Sequence, residues 1–146
     1  MPILHDVPTR DALKKRVQSL RPDAQRRWGQ MTVDQMLWHV NAPMAECLGE
    51  YTAAPQPAPL PRKLLRWLVL NVPWPRGAKT RPDLVARERH DFEAEKARCL
   101  QLIDRITSRD IASSWAPSAT FGEMGGRHWS QLHAKHLDHH LRQFGA

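Results

Sequence analysis

The chain has 146 residues, 41% hydrophobic and 25% charged, a length and balance that suit one globular domain with a sizeable core and exclude wholesale disorder. Its 22 Lys and Arg against 15 Asp and Glu give a formal net charge of +7; such a field attracts anions of any kind, but the basic residues are mostly scattered and no nucleic-acid-binding module is present, so no nucleic-acid partner is expected. The two cysteines, Cys47 and Cys99, form no C-x-x-C pair and suit a reduced, cytoplasmic setting. The amino terminus has no apolar signal region and no apolar run approaches the roughly 18 residues of a spanning helix, so neither secretion nor a membrane partner is expected.

From Arg10 to Leu20, Leu13, Val17 and Leu20 recur at helical spacing among basic residues, which predicts a first amphipathic helix ended by Pro22. Thr32-Val33-Asp34-Gln35 reads as a capping box that opens a second helix running to about Leu48. Between Gly49 and Pro82 the proline density forbids a continuous helix and predicts a long excursion. Within it, Arg62 to Leu70 forms one short amphipathic helix whose Trp67 and Leu68 either lid the core or touch a membrane surface, the lid being expected. Leu84, Val85, Phe92, Cys99, Leu100, Leu102, Ile103 and Ile106 mark a long third main helix ending near Ser108. A loop carrying Pro117, Gly122, Gly125 and Gly126 leads into a last helix from about His128 to Phe144. Four such helices without strand patterning predict an all-α bundle.

Eight histidines are many for this length, and four of them, His133, His136, His139 and His140, fall in the last helix. At about 100° per residue, Trp129, Leu132, His133, His136, Leu137, His140, Leu141 and Phe144 share one stripe, with His139 toward its flank. Histidines four apart lie side by side on a helix, so the imidazoles of His136 and His140 can converge on one ion. A third ligand should come from another helix, and His39, bordering the stripe of Met36, Val40, Pro43, Met44, Cys47 and Leu48, is the candidate. His133, one turn before His136, is a ligand, an outer partner or a pocket residue. A lone inward histidine is commonly a core residue bonded to a carbonyl; three in eight residues would each need a buried partner, which strengthens the metal reading.

Trp28-Gly29-Gln30-Met31-Thr32 leading to His39, the middle segments WPRGAKTRPDL and DFEAEKARCLQLIDRI, and the ending HWSQLHAKHLDHHLRQFG resemble the DinB-like superfamily, most closely an uncharacterised bacterial branch of it. The resemblance covers the chain from about Leu13 onward and implies an up-and-down four-helix bundle, the proline-rich excursion lying between the second and third main helices. It also implies a metal held by His39, His136 and His140. Characterised members resemble metal-dependent thiol transferases that use bacillithiol or mycothiol, or hydrolases and isomerases acting on small thiol adducts.

Three neutral imidazoles leave coordination positions open, as in catalytic rather than structural sites, and such a donor set suits zinc or nickel, with iron or manganese also accommodated. The expectation is therefore an enzyme that activates water or a thiol on a small, thiol-bearing or anionic substrate. Glu46, two turns beyond His39, is either a base or a surface carboxylate; Cys47 is a core residue or a soft ligand; Arg142 and Gln143 orient a substrate or cap the helix end. The rival expectation is a non-catalytic, metal-free binding or dimerisation module. Trp67, Trp74 and the proline-rich segment 53–61 either cover the site or pair two subunits.

Overall fold

A computed structural model describes residues 1–146. It is all-helical, with α1 (Val7–Ser19), α2 (Val33–Cys47), α3 (Arg62–Asn71), α4 (Phe92–Ser108), α5 (Gly126–Gln143) and a short 3-10 turn at Pro82–Leu84. No strand forms; a single β-bridge joins Ser118 and Gly122. No helix is long and apolar enough to cross a membrane.

Local chemistry sets most of the boundaries. Asp6 caps α1 by accepting from the Thr9 amide at 3.2 Å, and Pro8 sits in the first turn, where no intrahelical donor is needed. At the start of α2 the Thr32 amide donates to Gln35 Oε1 at 3.0 Å, the return half of a capping box. This helix continues through Pro43, which has no N–H to donate to the carbonyl of His39 one turn earlier.

The long third main helix begins later than its apolar spacing suggests. Leu84 belongs to the 3-10 turn and Val85 to the extended chain beyond it; α4 starts only after Asp91, which caps it by accepting from the Ala94 amide at 2.8 Å. Residues 84–90 instead form a strap along α2. Asp34 accepts from Arg89 at 2.9 Å and from the His90 amide at 2.8 Å, Gln35 donates to the Glu88 carbonyl at 3.2 Å, and Trp38 stacks on His90 at 5.1 Å.

Helix α2 packs against α4 and α5, and α1 against the same two, so four helices close a ring around one cluster of 23 buried apolar residues. Burial of that cluster is the main driving term of the fold. Helix α3 lies outside the ring on α5, its inner residues Leu65, Val69 and Leu70 reaching the core. Lys135 of α5 donates to the carbonyls of Val69 (2.6 Å) and Val72 (2.5 Å), capping α3 where its dipole is negative. Trp67 does not lid the core; it is 57% exposed, because the inner face of this short helix is taken by its other apolar residues.

Burial alone would raise the Asp34 carboxyl, but the Arg89 guanidinium and the His90 amide outweigh it and hold this group well below the usual carboxylate range. On acidification the unfolded chain therefore takes up the proton first. The stability from Asp34 is present above the ordinary aspartate value of about 3.9 and is lost as pH falls from there toward the folded value. Asp34→Ala should cost about 2 kcal/mol in urea unfolding at neutral pH, because the His90 amide loses its acceptor, and the gap to wild type should narrow below pH ~4.

Candidate metal centre

His39 projects from the middle of α2, and His136 and His140 from successive turns of α5. One ligating nitrogen from each lies within 4.8 Å of the other two. The three rings stand edge to face, every pair with centroids 4.8 Å apart. His39, expected at the edge of its buried face, is only 3% exposed, because the 84–90 strap covers that edge. His140 is buried and His136 half-buried.

The hydrogen bonds fix which nitrogen each ring presents. His39 Nδ1 lies 2.7 Å from the Leu84 carbonyl oxygen; a carbonyl only accepts, so Nδ1 carries the proton and the Nε2 lone pair faces inward. Gln143 Nε2 donates to the Trp28 carbonyl at 2.9 Å, which sets the amide orientation and leaves Gln143 Oε1 to accept from His140 Nδ1 at 2.7 Å. His140 thus also keeps Nε2 free. His136 Nε2 lies 2.9 Å from His39 Nε2. A bare lone pair on each would repel at this distance, so the contact requires either a proton on His136 Nε2 or a cation shared by both rings.

Both outer partners depend on the chain around them. Leu84 is positioned by Arg81 and Asp83: Arg81 forks onto both oxygens of Glu46 at 3.1 Å, and Asp83 accepts from Arg81 at 2.9 Å and from Tyr51 at 2.8 Å. Gln143 is held against Gly29, whose φ of +77° favours glycine and where a Cβ would meet Gln143 Nε2 at 2.6 Å. Burial, followed by the neighbouring imidazoles, pushes His136 well below its ordinary value, and burial with His39 nearby takes His140 down to about 3. His39 is lowered by burial as well. All three rings are therefore neutral near pH 7, the form in which a lone pair is available to a metal.

The remaining candidates separate. Glu46 is neither a free base nor a surface carboxylate: it is buried, paired with Arg81 and accepting from the Ala119 amide at 2.8 Å. Its bond to Arg81 ties down the chain that leads to Leu84. His133 stacks on Trp129 at 5.4 Å, outside the cluster. It shares a helical face with His140 but lies seven residues away, about 10 Å along the axis. Cys47 donates to the Met44 carbonyl at 3.1 Å, and burial raises its thiol to about 12, so it is a core residue. Arg142 pairs with Asp138 at 3.0 Å. Trp74 covers the site, its ring edge to face with His136 at 5.8 Å and with His139 at 5.5 Å.

The donor chemistry fits a divalent ion. Two nitrogens each bound at about 2.0–2.1 Å to one centre sit about 3 Å apart at angles between square and tetrahedral, and the His39–His136 spacing meets this. Beside His140 opens a cleft of about 290 Å³ whose lining includes Trp28, Met31, Thr80, Val85, His139 and Gln143, and no carboxylate. Arg76 lies over the Trp28 ring at 4.7 Å. Another cavity, of about 310 Å³, borders Glu46, Tyr51 and Arg62 and shares no residue with the triad.

Gln143→Leu removes the acceptor that orients His140 and frees the Trp28 loop. It should weaken zinc binding about 10–100-fold, read by competition with a chromogenic chelator, with the helical circular dichroism retained.

Residues 5–146 match the family described as "Protein of unknown function (DUF1569)". No curated protein and no solved structure matches the chain. With the match running over almost its entire length, the chain belongs to the DUF1569 family.

Proposed function

We propose that this protein is a DinB-like metalloenzyme in which His39, His136 and His140 hold a divalent ion and act on a small anionic substrate. The observation that carries this reading is the 2.9 Å approach of two Nε2 atoms, one of them left as a lone pair by its bond to Leu84, beside a third imidazole oriented the same way. The ring of four helices and the residues that resemble DinB-like proteins support it. Zinc or nickel suits the all-imidazole set best, then iron or manganese. Bound there, the ion would lower the pKa of a coordinated water or thiol and polarise an acceptor.

The chain's own groups supply orientation and charge. The Leu84 carbonyl and Gln143 keep two rings aimed, which reduces the reorganisation required of them. Trp74 limits access of water over His136. Because the donors are neutral and no carboxylate lines the cleft, an ion would keep its full positive charge toward the substrate, which favours a carboxylate or thiolate. A thiol-transferase-like or hydrolase-like reaction fits this arrangement.

The rival reading, a metal-free binding module, would have His136 Nε2–H donate to His39 Nε2. Metal analysis of protein purified without a nickel column should find about one divalent ion per chain in the wild type and none in the His39→Ala/His136→Ala/His140→Ala variant. A chelator should lower the wild-type melting temperature by several degrees through linkage. Equal metal content in the two proteins, or a melting point indifferent to the chelator, would give the site to the rival.

A further inference from the structure

The excursion from residue 52 to 82 contains Arg62, Lys63, Arg66, Arg76, Lys79 and Arg81 and not one Asp or Glu. Four of these cations make contacts within the chain: Arg81 with Glu46 and Asp83, Arg62 with the carbonyls of Gln56, Ala119 and Thr120, Arg66 with the Glu123 carbonyl at 2.7 Å, and Arg76 over the Trp28 ring. Lys63, Arg66, Arg76 and Lys79 form no ion pair. On the outer face of α3, Leu64 (46% exposed) and Trp67 (57%) stand one turn apart, with Leu60 (40%) and Val72 (43%) at either end. Four of the chain's seven exposed large apolar side chains thus fall on or beside one helix, and that helix carries unpaired positive charge.

An exposed row of Trp and Leu flanked by Lys and Arg has the composition of an element that lies in a lipid interface, the apolar side chains entering the acyl boundary while the cations meet anionic headgroups. A second copy of the chain fits poorly, because a two-fold pairing of α3 on itself would set Lys63 and Arg66 against their own copies. A nucleic acid would answer the charge but offers no apolar receptor for Leu60 and Leu64. Lys135, bonded to the carbonyls of Val69 and Val72, fixes the helix on α5 and holds the row outward.

We infer that α3 docks this protein peripherally on an anionic lipid bilayer through Leu60, Leu64, Trp67 and Val72, with Lys63 and Arg66 at the headgroups. The experiment is flotation of the full-length protein with vesicles of equal parts phosphatidylglycerol and phosphatidylcholine, beside phosphatidylcholine alone. The wild type should float with the anionic vesicles only, and less so as salt is raised. Leu64→Ser/Trp67→Ser, which alters only exposed side chains, should lower partitioning on the order of tenfold, and Lys63→Glu/Arg66→Glu should do the same, with helical circular dichroism unchanged in both. No flotation with anionic vesicles overturns the inference. So does binding that survives the serine substitutions, which would be charge alone, or a dimer in gel filtration that those substitutions dissolve.

Discussion

The hydrogen bond from His39 Nδ1 to the Leu84 carbonyl, 2.7 Å long and buried, is the contact on which the candidate centre depends. It decides the tautomer of His39 and so turns a second nitrogen, otherwise a plausible donor, into a lone pair 2.9 Å from His136. A carbonyl can do this only if the chain bearing it is fixed. Contacts on both sides of Leu84 provide that: just ahead of the strap Glu46 grips Arg81, and at its far end Asp34 grips Arg89 and the His90 amide. Two buried carboxylates of α2 thus bracket His39 in sequence, and each positions the strap that orients the ring between them.

The same logic repeats on α5 with different parts. Gln143 does for His140 what Leu84 does for His39, and Gln143 is in turn held by the Trp28 carbonyl and by Gly29, which leaves room for its side chain. The segment from Trp28 to Thr32 is therefore more than an approach to α2; it reaches back to the last turn of the chain and stabilises one ring of the triad. Both orienting groups are neutral and the site contains no carboxylate, so the centre differs in electrostatic character from one in which acidic side chains offset the charge of the ion.

Much of this was legible in the residues. The i, i+4 spacing of His136 and His140 and the inward stripe of α5 follow from helical periodicity, and a capped α2 with one imidazole near its buried face left His39 as the natural third member. Periodicity failed where the decisive contacts are distant in sequence. Leu84 and Val85 match the apolar spacing of α4, yet pairings such as Asp34–Arg89 and Glu46–Arg81 join residues 55 and 35 positions apart and draw that segment into a strap. His133 misleads for another reason: a helical wheel shows angle and hides axial distance, so a residue almost in line with His140 lies two turns before it and stacks on Trp129 instead. Glu46 looks like a surface carboxylate because nothing local announces Arg81. Trp67 looks like a lid because an amphipathic pattern does not reveal which of its apolar residues the core has room for.

The claim that three imidazoles share one ion is tested most directly by a crystal structure of protein grown without added metal, with anomalous data collected on both sides of the zinc and nickel absorption edges. A single anomalous peak should lie about 2.0–2.1 Å from a nitrogen of each of His39, His136 and His140, with His39 Nδ1 still bonded to Leu84. A His39–His136 contact closed by a proton alone, with no anomalous peak between α2 and α5, would contradict it.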